Sequence, residues 1–426
     1  MSAAQSVASA AAPGAPPGGA GSGGTSTPTY ADTGAYTLSK GSAVLKGRRF
    51  TASAADESGV LVNSSGQLTL LNPTVATTGS SKSSDESSFY GLDAGVLTDG
   101  SAVLRITGGS VHTTGAGANG VFAYGAGARI TLRNVKITAI GQYAHGVMAS
   151  GGGTISATGL TVSTGGASSA AVATDRGGGV ITVTGGSFRT SGFKSPGIYS
   201  TGTIKVTDAE MTATGAEAAV VEGANSIAVA GSTLRGAAKG GHGVMLYNSM
   251  SGDANAGTGT YTLLGGSLTA AGGPAFYVTN TNAVITISGA AKVSAASGVL
   301  LRADNAGTGS GNTGAGNATL VLRGEHLTGD LLSTGTGTIR ASLSHGTVLQ
   351  GRIATAALTI DGSSVWKVTG NSTLSAIVDS AGISGSYITN VIGNGHTVTY
   401  NAGLAANKAL GARTYKLAGG GELKPA

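Results

Sequence analysis

Residues 144–166 read AHGVMASGGGTISATGLTVSTGG, and this stretch holds one complete structural period. A first apolar run opens at Gly146-Val147, Ile155 and Ala157 stand two apart in a second, and Val162 precedes a Ser-Thr-Gly-Gly turn. A spacing of two puts side chains on one face of a strand and the residue between them on the other. The stretch therefore reads as three short strands separated by Gly-rich turns.

The same pattern runs outward in both directions. Small–aliphatic pairs recur at Gly59-Val60, Gly95-Val96, Gly120-Val121, Gly146-Val147, Ala171-Val172, Gly197-Ile198, Ala219-Val220, Gly243-Val244, Ala275-Phe276 and Gly298-Val299. Their period is about 25 residues, with two longer intervals. Second-strand pairs follow in phase, among them Leu104/Ile106, Ile130/Leu132, Ile181/Val183 and Ile285/Ile287, and so do the single third-strand residues Val111, Ile137, Phe188 and Leu268. One unit of this size cannot bury its own apolar face, so successive units must stack. The prediction is an all-β chain: a right-handed parallel β-helix (a solenoid) with three short strands per coil. The hand follows from the general preference for right-handed crossovers.

Composition agrees. The chain has 426 residues, of which 76 are Gly and only 8 Pro, and the glycines keep no period of three, which excludes collagen. A hydrophobic content of 40% with 10% charged residues argues for burial rather than disorder. So much Gly, Thr, Ser and Val disfavours helix. The absence of Cys removes disulfides, thiolate metal sites and Cys nucleophiles together. The net charge of +6 is spread thinly, without the basic clusters of a nucleic-acid binder, so no nucleic-acid partner is expected. No run approaches the roughly 20 apolar residues of a membrane helix, so no transmembrane segment is expected.

Residues 1–30 are rich in Ala, Pro, Gly and Ser and read as a flexible tether. They lack the basic start and apolar centre of a signal peptide, so a leader is presumed removed and the location extracellular or on the outer cell surface. The β-helix is predicted over 31–395 and a C-terminal cap over 396–426. Insertions are expected near 80–89, 249–259 and 304–317, where loops projecting from a regular rod usually carry function.

Few groups are available for chemistry. Asp175, Arg176 and Glu222 fall just after the first strand, and Asp253 can fold over them from its insertion. They are the candidate catalytic set: two carboxyls about two coils apart, roughly 10 Å, lie near the separation an inverting glycosidase uses. Glu222 falls in the column of Ala123, Ala149, Thr174, Ser200, Leu246 and Val278, where an inward carboxylate demands a partner. A second column reads Leu61, Leu97, Phe122, Met148, Ala173, Tyr199, Val221, Met245, Tyr277 and Leu300, extended by Tyr124 and Tyr247. Either a corner bulge turns it into the core, or it forms an exposed stripe in which Phe122, Tyr124, Tyr199, Tyr247 and Tyr277 stack on sugar rings or dock a partner. His145-Gly146 and His242-Gly243 share a phase but lie four coils apart, too far for a shared metal, and read as corner residues. No metal site and no cofactor is expected.

Segments 144–166 and 363–377 (SSVWKVTGNSTLSAI) carry a resemblance to the pectin-lyase-like β-helices, and most of all to the passenger domains of bacterial autotransporters and related adhesin-like secreted proteins. The resemblance covers roughly residues 50–380. It implies an adhesin-like scaffold that binds an extracellular glycan or a host or cell-surface protein without catalysis. The same fold family also contains polysaccharide lyases and glycoside hydrolases, the alternative, and structural matrix or filament components, a second alternative. The chain departs from a complete autotransporter in ending at Leu423-Lys424-Pro425-Ala426 without membrane-barrel strands, so a free-standing secreted or tethered protein is the expectation.

Overall fold

An aliphatic or aromatic residue at every second position, bounded by glycines, stacks into ladders in the computed structural model, which describes residues 31–307 and 314–426. The predicted tether, residues 1–30, and the centre of the third insertion, residues 308–313, lie outside the described residues. The architecture is a parallel β-solenoid. In one coil the strands are Val121–Tyr124, Arg129–Arg133 and Lys136–Ala139. They pair in parallel with the next coil through Val121↔Val147, Ile130↔Ile155 and Ile137↔Val162. Backbone hydrogen bonds thus run from coil to coil, and equivalent side chains stand about 4.8 Å apart along the rod.

The inward column of the first strand runs Val60, Val96, Val121, Val147, Val172, Ile198, Ala219, Val244, Phe276, Leu301. Two members differ from the sequence expectation, which had placed Val220 and Val299 here. Both fall in runs of small or aliphatic residues, where the apolar pattern allows a slip, and pairing with the neighbouring coils settles the phase. The slip at Ala219 moves the rest of its strand by one column, Glu222 included.

Corners are held in two ways. Thr113, Thr164 and Thr190 each donate a side-chain hydrogen bond to a carbonyl five residues on, at Ala118, Ser169 and Ser195. Just beyond these threonine positions lies a column of glycines: Gly79, Gly115, Gly141, Gly166, Gly192, Gly215. A Cβ on Gly141 would sit 1.8 Å from the carbonyl oxygen of Gly115, and one on Gly166 would sit 1.8 Å from that of Gly141. These glycines have ordinary φ. They are required because each backbone lies against the one below, whereas elsewhere, as at Gly41 and Gly47, the space is open and the requirement is a positive φ.

The ends differ. The first coil, Thr33–Leu38, Ser42–Lys46 and Arg49–Ala52, pairs with the next coil and leaves Tyr36, Leu38, Ala43 and Leu45 half-buried. Toward the C-terminus the parallel order gives way to antiparallel pairs, Ile383↔Ile388 and Tyr415↔Leu423. There Tyr400 and Tyr415 donate to the carbonyls of Arg413 and Leu410, tying the last segment across the end.

Candidate functional site

As far as Tyr277 the second apolar column neither enters the core nor lies open; Leu300 instead packs in the core, and Arg302 is the strand partner of Tyr277. Strand alternation points it outward, and a second hydrophobic cluster then covers it: Leu61, Leu97, Phe122, Met148, Ala173, Tyr199, Val220, Met245 and Tyr277 are all buried. The insertion near residue 80 supplies part of the cover. It contains a short helix, α1 (Ser84–Tyr90), capped by Ser83, whose hydroxyl accepts from the Glu86 N–H, and ended by Gly91 in the left-handed region. Gly91 packs directly on Leu97 and Phe122. The Ser-x-x-Glu spacing at Ser83 and Glu86 is the sequence signal for this helix. An exposed aromatic stripe is therefore excluded: Phe122, Tyr199, Tyr247 and Tyr277 are buried, and of the five only Tyr124 reaches an open surface.

The corrected register gives a further column just past the first strand: Asp99, Tyr124, Ser150, Asp175, Thr201, Glu222, Tyr247, Thr279, Asp304. Glu222 thus shares its phase with Asp175, not with Ala123 and Ala149. It points outward but is fully buried, because the insertion at 249–257 folds onto it. Its Oε2 accepts from the hydroxyls of Tyr199 and Tyr247, and its Oε1 accepts from the Ser249 N–H at 3.1 Å and from the Ser249 hydroxyl. With four donors on two oxygens it is the anchor of the insertion and has no free face toward a substrate. Burial, and after it the Glu222 charge, hold both phenols well above their usual range, so Tyr199 and Tyr247 stay protonated donors.

Beside it, Asp253 reaches down from the same insertion to Arg176, with Oδ1 3.0 Å from Nη2 and 3.3 Å from Nε. Its Oδ2 accepts from Ser251 at 2.8 Å. The guanidinium lies on the Phe89 ring, 3.8 Å from its centroid, so α1 and the second insertion meet across this one side chain. Asp175 is buried, and its Oδ1 accepts from the Arg176 N–H. Burial pushes its carboxyl well above the carboxylate range, and the Asp253 and Glu222 charges push it further. The catalytic candidates are brought together, but as a closed set of ion pair, clamp and buried acid. Among them only Arg176, with 29% of its side chain exposed, presents itself to solvent.

The two insertions enclose a cleft of about 440 Å³, lined by Phe89, Tyr90, Tyr124, Arg176, Thr201, Asn225, Asp253 and Asn255, with glycines at 151, 177, 178 and 252 along the rim. Its size falls in the range of small-molecule sites. No protein-family model matches this chain, and no curated protein matches it. The cleft's chemistry therefore rests on its own residues. Phe89, Tyr90, Thr201 and Asn225 were not singled out from sequence, because they belong to an insertion and to corner positions whose meeting no periodicity encodes.

The first insertion has its own carboxylate anchor. Asp56 accepts from the Lys82 N–H at 2.9 Å and the Ser81 hydroxyl at 3.2 Å, and pairs with Lys82 Nζ at 3.0 Å. Next to it Asp93 is fully buried, and burial, followed by the Asp56 charge, pushes its carboxyl up to about 7. A carboxyl raised in the folded state keeps a proton that the unfolded chain has already lost, so stability falls as pH rises from about 4 to about 7. Asp93→Asn is expected to remove part of that fall. Melting curves at pH 5 and pH 8 should converge relative to the parent, and an unchanged pH dependence would show that Asp93 is already ionised in the fold. His145 and His242 are corner residues: His145 Nδ1 accepts from the Ala170 N–H and, buried, is held down at about 4, while His242 pairs with Glu217 and stacks on Tyr277.

Proposed function

We propose that the protein is a secreted or cell-surface, adhesin-like scaffold that binds an extracellular glycan or protein partner in the cleft between its two insertions, without catalysis. The reading is carried by one observation: segments some 160 residues apart in sequence, α1 and 249–257, meet over a regular rod on either side of Arg176. Besides covering the second apolar column, the meeting leaves a cleft between the two segments, and projecting segments on rigid scaffolds are where recognition usually resides. The closed state of Asp175, Glu222 and Asp253 supports binding over hydrolysis, since a general acid and base need free lone pairs or protons facing a substrate. The likeness of residues 144–166 and 363–377 to autotransporter passengers and other pectin-lyase-like β-helices supports an extracellular site of action.

A glycan array, with reducing-sugar and unsaturated-product assays on the same polysaccharides, tests this. Retention of at least one extracellular glycan without product is expected. Arg176→Ala should weaken that retention by about tenfold, roughly the effect of losing one charged contact. Product formation that disappears in Asp253→Asn would replace the binding reading with an enzymatic one.

A further inference from the structure

The fold gathers charge that the sequence spreads. In the first six coils the second and third strands, with the turns between them, occupy residues 42–52, 67–77, 103–113, 129–139, 153–164 and 179–190. These segments hold eight Lys and Arg and not one Asp or Glu. All eight bases are exposed, and among the described residues none of them enters an ion pair. The eight acids among residues 31–200 belong instead to the first strands, to residues flanking them or to the first insertion. Asp208 and Glu210, in the seventh coil, are the first acids to reach the second and third faces.

Strand pairing places the bases about one corner. Lys46 stands in a column with Leu71, Thr107 and Arg133, and Arg49 in the adjoining one with Thr74, Ser110 and Lys136. The turn between second and third strands is therefore flanked by two cations in the first coil and by two again three coils on, about 14 Å along the rod. Arg105, two positions before Thr107 on its strand, stands between the two pairs. Thr74, Thr107 and Ser110 put uncharged hydroxyls in the places between. Like charges held side by side repel, so this arrangement creates a one-signed field that draws anions to it.

We propose that this corner binds a linear polysaccharide carrying sulfate or carboxylate groups, laid along the rod across the first six coils. The first strands and their insertions form another side of the rod, so the inference does not rest on the cleft. Arginine dominates the set, and its guanidinium pairs with oxyanions through two parallel hydrogen bonds, while neighbouring hydroxyls suit a sugar backbone. A single-stranded nucleic acid fits less well, because it is held by stacking on aromatic rings. The only Phe, Tyr or Trp in the six segments are Phe50 and Phe188, and both are buried in the core. An anionic membrane fits less well too: it is a plane, whereas these cations flank a corner between two faces.

Calorimetric titration of the full chain decides, with two anionic chains, dextran sulfate and polygalacturonate, beside unsubstituted dextran, a thymidine oligonucleotide and phosphatidylglycerol vesicles. At least one anionic polysaccharide is expected to bind about tenfold or more tightly than the last three, and to weaken as salt rises. Arg133→Gln combined with Lys136→Gln should lower that affinity about tenfold, and both residues are exposed, so the core is untouched. Arg323→Gln, equally exposed on a second strand farther along the rod, should leave it unchanged. An equal loss in Arg323→Gln would show that net charge rather than this corner is read, and would overturn the assignment. Binding of the oligonucleotide or the vesicles as tight as that of the polysaccharides would give the corner to a nucleic acid or a membrane and overturn the polysaccharide. Equal binding of unsubstituted dextran would show that the anionic groups are not recognised. Failure of both anionic chains at low salt would overturn the inference outright and leave the cleft to its own test.

Discussion

Glu222→Ala is expected to release the second insertion from the rod and to lower stability by about 3–5 kcal/mol, the range for removing one partner of a buried charged cluster. The substitution removes the buried acceptor that the Tyr199 and Tyr247 hydroxyls and the Ser249 N–H share. Each buried donor left unmatched costs about 1–3 kcal/mol. The loss should be local before it is global. Hydrogen exchange should show faster exchange across 249–257 and little change three coils away, because stability in a stacked array is set by each unit and its neighbours. Asp253 then loses its support, the Arg176 pair opens, and ligand binding should fail together with the loop. Glu222→Gln retains one acceptor oxygen and should show a smaller version of the same pattern. If exchange at 249–257 is unchanged in Glu222→Ala, the clamp is not what holds the insertion.

The second large effect is expected at Gly141. A methyl group there would overlap the Gly115 carbonyl, 1.8 Å from where its Cβ would lie, and backbone cannot move aside as a side chain does. Gly141→Ala must therefore prise two coils apart, at a cost of about 3 kcal/mol or more, the upper part of the overpacking range. Gly41 is the natural control: it has positive φ, but no heavy atom lies within 4 Å of its added Cβ, so Gly41→Ala should show only the smaller conformational penalty. Thermal melts of the two variants against the parent distinguish them. Similar losses would mean that glycine is kept at 141 for backbone freedom rather than for contact.

How much of this was readable beforehand depends on whether a feature repeats. The coils, three strands and inward ladders were legible because each is written ten times over, and one doubtful coil is corrected by its neighbours. The register slip at Ala218-Ala219-Val220-Val221 shows the limit. Four small or aliphatic residues in a row offer more than one equally apolar phase, and only pairing with Ile198 and Val244 selects Ala219. That slip put Glu222 in the wrong column and hid its kinship with Asp175 and Tyr247. The second apolar column was misjudged for a different reason. Alternation was right in sending it outward, but part of its cover comes from α1, which belongs to no repeat. Asp253 could be named as a residue able to fold over Arg176. The stacking of Arg176 on Phe89 could not, because two unrelated insertions must be placed in space before they touch.

The distances in sequence that these contacts span bear on how the molecule assembles. Nearly all strand pairings link residues about one coil apart, so the loop closed by each contact stays near 25 residues however long the rod grows. Measured as contact order, such a chain is local despite its length, and its folding should spread from a nucleus by successive docking of coils rather than wait for distant segments to find each other. The exceptions cluster at the cleft: Phe89 to Ser150, 61 residues apart, and Arg176 to Asp253, 77 apart. The cleft is thus the part with the greatest closure entropy and the part whose loss leaves the stack intact. It should be the last element to form in refolding and the first to open under mild denaturant, while the rod beneath it remains folded.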